Sequence, residues 1–349
     1  RFWLSLVVDE EKPRALPNLD YKIVVGDSLI SKFEGEIVEI DWEIKAETQT
    51  DMFGNENLQN RERLLKILTG KQREYFDPGN KNKKALALEI RNHKIDVLLN
   101  QLELMVKTEG LVHTPVKTNF KDSKKFAAAQ ELSQKTEVWL DTIKKLKNLK
   151  QNPEAPFKHF DWKLDFPEVL NPYLVNGKAG FDIVIGNPPY DVYQGSKKKE
   201  IEDILNFEIY QKCKGGKINA FELFLAKTHE LIINKGINCQ IFQNSFLADN
   251  SSRNLREFYF KNQRIISIDS FPERDNPKKR VFESVKMSVC ILLSKRYRSH
   301  GGNYKFIVRF WEDKTRVIGY FTSFSIYEIT LFDPKQLIIL NLRTDEKKI

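Results

Sequence analysis

The chain has 349 residues, 41% of them hydrophobic, enough to bury the core of one large or two ordinary domains. Its 57 basic side chains outnumber the 48 acidic ones by nine, a balance that favours a polyanionic partner. Three scattered cysteines (Cys213, Cys239, Cys290) exclude a disulfide framework and a zinc site and suit a reducing cytoplasm, no apolar run reaches the ~20 residues of a membrane span, and no signal peptide is visible. The chain opens at Arg1-Phe2-Trp3-Leu4 in the middle of an amphipathic pattern and closes at Lys348-Ile349 soon after strand-like segments, which reads as a piece of a longer polypeptide.

Phe2 to Val8 reads as the end of a buried helix, stopped by Asp9-Glu10-Glu11-Lys12 and Pro13. After a turn at Leu16-Pro17-Asn18-Leu19-Asp20, Tyr21 to Val25 alternates and branches like a strand and ends at Gly26-Asp27-Ser28-Leu29. From about Glu47 to Lys150 the chain is charged, lacks β-branched runs and carries helical spacing. Leu64, Leu65, Ile67 and Leu68 form one apolar face. Leu86, Leu88, Ile90, Ile95, Leu98, Leu99, Leu102 and Leu104 form a second, and Val138, Leu140, Ile143 and Leu146 a third. Asp77-Pro78-Gly79-Asn80 and Thr114-Pro115 punctuate between them, so the spacing predicts a helical insertion of antiparallel helices packed on a parent domain. Lys144, Lys145, Lys147 and Lys150 read as a solvated face. Asn152 to Pro156 is a linker, and Phe160-Asp161-Trp162 and Phe166-Pro167 are core residues leading to the next strand.

That strand carries the most specific chemistry, in Phe181-Asp182-Ile183-Val184-Ile185-Gly186-Asn187-Pro188-Pro189-Tyr190. Ile183 to Ile185 reads as a short buried strand, stopped at Gly186 because the two prolines forbid both helix and further ladder pairing. Asn187 and Tyr190 then stand on a stiff loop at the carboxyl end of the strand, where open α/β sheets bind ligands. The Asn187 side-chain oxygen and the Pro188 carbonyl are two acceptors. Converging, they can hold both hydrogens of an exocyclic amine and turn its lone pair out of conjugation. Tyr190 offers a flat face to a planar base.

The polar stretch Asp191 to Lys199 leaves on the same side as Asn187. Asn219 to Asn234 is predicted as an amphipathic helix with Phe221, Phe224, Leu225, Leu231 and Ile232 on its apolar side, capped by Lys235-Gly236. Strands follow at Cys239 to Phe242, Ile265 to Ile268 and Val285 to Leu293, with a short helix at Leu255 to Phe260 and further strands at Tyr304 to Phe310 and Val317 to Tyr320.

Asn187-Pro188-Pro189-Tyr190 resembles the catalytic motif of the amino-methyltransferases that use S-adenosylmethionine. The wider context resembles the adenine-specific DNA methyltransferases, particularly the type IIG-like restriction–modification proteins, in separated blocks over most of the chain. The resemblance implies an α/β, Rossmann-like methyltransferase core with a mixed sheet, interrupted by the helical insertion. It implies methyl transfer from S-adenosylmethionine to adenine N6 in double-stranded DNA with the adenine flipped out, with Asn187, Pro188, Pro189 and Tyr190 as catalytic residues. It assigns Asp27, with the backbone of Ser28 beside it, and Phe224 to the adenine of the cofactor. Phe282 would stack on the flipped base opposite Tyr190, offsetting a few kcal/mol of lost stacking. Lys197, Lys198 and Lys199, and Lys278, Lys279 and Arg280, would touch phosphates. No metal is called for.

One family element has no counterpart: no Gly-x-Gly follows a strand, so the loop that embraces the methionine end of the cofactor is expected before Arg1 and the pocket is expected to be incomplete. The expected divisions are residues 1–46 (first part of the core), 47–155 (insertion), 156–296 (catalytic part) and 297–349 (start of a target-recognition domain). A nuclease, fused or separate, is the implied partner, although no Pro-Asp…Glu-x-Lys cluster is evident. The alternatives are a protein-glutamine methyltransferase, which shares the Asn-Pro-Pro-Tyr motif, a cytosine N4 enzyme, and a non-catalytic DNA-binding or assembly subunit.

Overall fold

The structure, a computed structural model, describes residues 20–44, 52–77, 79–119, 122–175, 179–214, 217–297 and 303–340. The helix end expected over residues 2–8 lies outside these. The chain divides into two compact units, residues 1–177 and 178–349.

The first unit is mainly helical. A small hairpin pairs β1 (Lys32–Phe33) with β2 (Glu36–Ile37). Its two turn residues, Glu34 and Gly35, both take positive φ (50° and 91°), the backbone a two-residue hairpin needs to match strand twist. Three long helices follow: α1 (Met52–Phe76), α2 (Lys83–Thr108) and α3 (Ser123–Gln151). Asp122 caps α3 by accepting from the Lys124 amide (2.8 Å). Two short helices, α4 (Trp162–Asp165) and α5 (Pro167–Leu170), close the unit.

Leu65 and Leu68 of α1, Ile90, Ile95, Leu98 and Leu102 of α2, and Trp139, Ile143 and Leu146 of α3 share one core with Phe33, Val38 and Trp42. Leu88 and Leu140 stand outside it, because the helical period selects Ile90 and Trp139 instead. The expected boundary at 46/47 therefore falls inside a shared core: residues 20–44 pack on the helices. Trp139 Nε1 donates to the Glu39 carbonyl (3.2 Å) and Tyr173 OH to the Ile44 carbonyl (3.0 Å). Tyr21 to Val25 is not a strand, which corrects the sequence reading. No described strand pairs with it, Tyr21 takes φ 61°, and Ile23 and Val25 are exposed. Branched residues favour a strand only where a neighbour completes the ladder.

The second unit is α/β, with a mixed sheet as expected. In chain order it contains β3 (Phe181–Gly186), β4 (Val192–Tyr193), β5 (Ile218–Asn219), α6 (Ala220–Leu231), β6 (Ile232–Gln243), α7 (Arg253–Asn262), β7 (Gln263–Phe271), β8 (Val289–Arg296), β9 (Lys305–Trp311), β10 (Gly319–Ser325) and α8 (Ile326–Phe332). Six strands form one sheet in the order β10-β9-β7-β8-β6-β3. The β3–β6 and β7–β9 pairs are parallel and the others antiparallel. Residues 305–325 thus add two strands to the sheet that ends in Asn187-Pro188-Pro189-Tyr190 at β3. One face of that sheet is buried, with Phe242 of β6 stacked on Phe221 of α6 at 4.9 Å and 11°.

The helix expected to reach Asn234 ends at Leu231, because Ile232 is taken into the sheet opposite Phe181. Lys235-Gly236, expected as its cap, lies instead in an irregular stretch of β6 where Lys235 takes φ 71° and the register against β3 shifts. The strand expected from Val285 begins at Val289, and the one expected from Val317 begins at Gly319.

Candidate active site

Strand β3 is an edge of the sheet. Its run was expected to be buried, yet Ile183 is 58% and Ile185 78% exposed, since neither an outer strand nor a helix of the same unit covers them among the described residues. The strand stops at Gly186, where a Cβ would lie 3.3 Å from the buried Gln240 side chain. The two prolines then project the loop from the carboxyl end of the strand.

On that loop Asn187 is exposed, and its side chain makes no hydrogen bond among the described residues. Pro188 is buried and Pro189 exposed. The loop is held from behind. Gln243 Nε2 donates to the Tyr190 carbonyl (2.8 Å), Ala220 N donates to the Asp191 carbonyl (2.8 Å), and β4 pairs with β5. An acceptor that is exposed, uncommitted and mounted on a fixed loop can receive an amine without reorganising.

Tyr190 is half-buried, with its hydroxyl in the interior and without a partner among the described residues. Burial, with a smaller contribution from the Cys290 thiol, pushes that hydroxyl up from 10.0 to about 12. It stays neutral at ordinary pH, so the ring face is what it offers. The structure brings Phe282 to it: the ring centroids are 5.9 Å apart at 60°. Phe282 stands on the loop between β7 and β8, 92 positions further along the chain.

The basic residues divide. Lys197 and Lys199 are exposed on a 3-10 turn, Gly195–Ile201, with Lys198 half-buried between them. Lys278 and Lys279 are exposed on the Phe282 loop. Arg280, expected at a phosphate, is buried. Its Nε donates to the Glu283 carbonyl and its NH1 to the Arg274 carbonyl, both at 3.1 Å, so the guanidinium is committed to the loop's own backbone. Gln243 was not foreseen, because nothing in a strand's alternation marks which residue will meet a distant carbonyl.

Of the residues assigned to the cofactor, Phe224 is half-buried on α6. Asp27 and Ser28 belong to the first unit. Asp27 accepts from the Leu29 amide (3.0 Å), pairs with Lys32 (3.2 Å), and lines a cavity of about 780 Å³ within that unit. The Ser28 carbonyl accepts from Trp162 Nε1 (2.9 Å). A cavity of that volume is in the range that takes a small-molecule ligand; Asp27 lines it, and Ser28 and Phe224 do not. Among the described residues no group of His, Cys, Asp or Glu could hold a metal ion, and no helix is long and apolar enough to cross a membrane.

The family described as Eco57I restriction-modification methylase matches residues 83–276. No curated protein matches the chain. Among solved structures, the type IIG restriction endonuclease BpuSI is 16% identical with a TM-score of 0.32, over 74% of this chain and 36% of that one. A putative class I S-adenosylmethionine-dependent methyltransferase from Listeria monocytogenes is 14% identical with a TM-score of 0.26, over 70% and 88%. The M protein of the type I restriction enzyme EcoKI is 10% identical with a TM-score of 0.27, over 72% and 71%. The chain spans 36% of BpuSI and 14% of the chain in a DrdV–DNA complex, about a third and a seventh of their lengths.

Proposed function

Because this chain belongs to the Eco57I restriction-modification methylase family, we propose that it is the methyltransferase part of a restriction–modification protein. Its reaction is methyl transfer from S-adenosylmethionine to the N6 amine of an adenine flipped out of double-stranded DNA. The observation that carries this reading is the loop after β3. An exposed, uncommitted Asn187 stands beside the Pro188 carbonyl, and Tyr190 has a second aromatic ring, Phe282, within 5.9 Å.

S-adenosylmethionine, when bound, supplies an electrophilic methyl group. The chain's own residues present the nucleophile. Asn187 Oδ1 accepts one hydrogen of the amine and the Pro188 carbonyl the other, which turns the nitrogen lone pair out of the ring's conjugation. Positioning and polarisation do most of the work, so no strong base or metal is needed. The surplus proton leaves to solvent past the exposed Asn187. Tyr190 and Phe282 replace the stacking the base loses on leaving the duplex. Lys197, Lys198, Lys199, Lys278 and Lys279 serve the phosphates. Arg280 serves the loop instead.

Asp27, Ser28 and Phe224 are proposed for the adenine of the cofactor. Since β9 and β10 stand in the catalytic sheet, a target-recognition domain would follow them, and a nuclease, fused or separate, would complete the system. Three free thiols suit a cytoplasmic setting.

The test is methylation of unmodified genomic DNA by the full-length protein with a labelled methyl donor, followed by mapping of modified bases. N6-methyladenine at a fixed sequence is expected. Label in cytosine or in glutamine-bearing protein substrates would move the reaction to one of those amines, and label in none would leave a DNA-binding or assembly role.

A further inference from the structure

Tyr190 and Phe282 come from different loops, so the distance between the two rings depends on how each loop is held. Two buried polar side chains stand behind them. Gln243, 6% exposed at the end of β6, donates its amide to the Tyr190 carbonyl at 2.8 Å. Arg280, 8% exposed, spans the Phe282 loop from inside. Its Nε and NH2 donate to the Glu283 carbonyl, just past Phe282, and its NH1 to the Arg274 carbonyl on the other arm. Burying an amide and a guanidinium is costly unless their donors are used. Here they are used on backbone carbonyls of the two loops that carry the aromatic pair.

We propose that Gln243 and Arg280 are positioning residues that set the gap between Tyr190 and Phe282 for an extruded base. The inference rests on the methyltransferase reading above. A base stacked on both rings needs them parallel and roughly 7 Å apart, two contact distances. The rings now stand 5.9 Å apart at 60°, so one must turn. Tyr190 is the fixed side: its carbonyl is held by Gln243, the next carbonyl by Ala220 N, and its hydroxyl is buried. Phe282 is the ring that turns. Its side chain stands on a loop whose backbone is tied around it, by Arg280 at Arg274 and Glu283, by Lys314 N at the Lys279 carbonyl (2.9 Å) and by Val285 N at the Phe282 carbonyl (3.2 Å), while Glu283 and Ser284 are exposed. Lysine at 280 keeps the charge but lacks the planar fork that reaches both arms. Glutamate at 243 keeps the shape but has no amide donor for the Tyr190 carbonyl.

The experiment uses the full-length protein and two duplexes built on the site that its own methylation of DNA reveals, one with adenine at the target for turnover and one with 2-aminopurine there for fluorescence. Arg280→Lys and Gln243→Glu are expected to lower kcat/KM by roughly 10–100-fold, the scale of a 1 Å misplacement. The fluorescence of the extruded base should change with it, while duplex and S-adenosylmethionine affinities stay within about twofold. Wild-type turnover and fluorescence in both variants would overturn the proposal. A second arm separates positioning from folding: in a Phe282→Ala background, Arg280→Lys should add less than about twofold to the loss. A full additional loss, or failure of the Arg280 variants to fold, would assign Arg280 to stability alone and overturn its part. Should the wild type methylate no DNA at all, the methyltransferase reading fails first, and the positioning roles fall with it.

Discussion

The helical core of the first unit and strand β3 of the second carry similar apolar residues in opposite circumstances. Leu98 and Leu102 of α2 are completely buried between helices of their own unit. Ile183 and Ile185 of β3, no less hydrophobic, lie on an edge strand and are 58% and 78% exposed. The first region uses its apolar residues for stability. The second uses its strand to hold the loop of Asn187 to Tyr190 at a fixed place.

Removing the exposed acceptor is the sharpest way to expose that difference. Asn187→Ala is expected to lower methyl transfer by at least roughly 10²–10³-fold, the scale seen when one preorganised polar partner is lost. Thermal midpoint and duplex affinity should be unchanged; undiminished turnover would remove Asn187 from the mechanism. In the helical core the pattern should invert. Leu102→Ala leaves a cavity in the core that Leu102 shares with the other two long helices and is expected to cost about 2–5 kcal/mol in denaturant unfolding. Ile185→Ser should shift the same measurement by no more than about 0.5 kcal/mol, as at other open surface positions. A cost on the core scale would mean that the face of β3 is covered in solution.

The smallest effect is expected at Tyr190→Phe. The hydroxyl it removes is buried without a partner among the described residues, so stability near neutral pH should hold or rise slightly. Turnover should persist, because the ring face remains. The pH dependence gives the sign. The hydroxyl's folded value of about 12 lies above its ordinary 10.0, so unfolded chains ionise first as pH rises. Ionisation of this hydroxyl costs the fold nothing below about pH 10 and lowers stability between pH 10 and about pH 12, so the phenylalanine variant should lose less stability over that window. Equal losses in the two proteins would show that the hydroxyl is solvated.

Much of this was legible in the chain. The strands at β6, β7 and β9 and the helix α7 announced themselves by alternation or helical spacing, which are short-range properties of residues that touch. The Asn187 loop was legible because two prolines fix the backbone wherever they stand. Phe282 is set opposite Tyr190 by the resemblance to DNA methyltransferases rather than by any local pattern, and the two ring centroids stand 5.9 Å apart. Tyr21 to Val25 was misread because a branched, alternating run becomes a strand only when another strand accepts it, and none does among the described residues. The burial of Arg280 has a related cause: within Lys278-Lys279-Arg280 nothing local separates a side chain that faces water from one that turns inward to its own loop.

The sequence by itself determined the chemistry on offer, namely paired acceptors on a stiff loop, an aromatic face and a basic surround, because composition and backbone restriction act over a few residues. Only the tertiary structure decided which strand is an edge, that Gln243 holds the Tyr190 carbonyl, and that Arg280 is spent on Glu283 and Arg274. Those assignments depend on which loops converge at the end of the sheet, and hydrogen bonds between residues far apart in the chain leave no periodic trace in it.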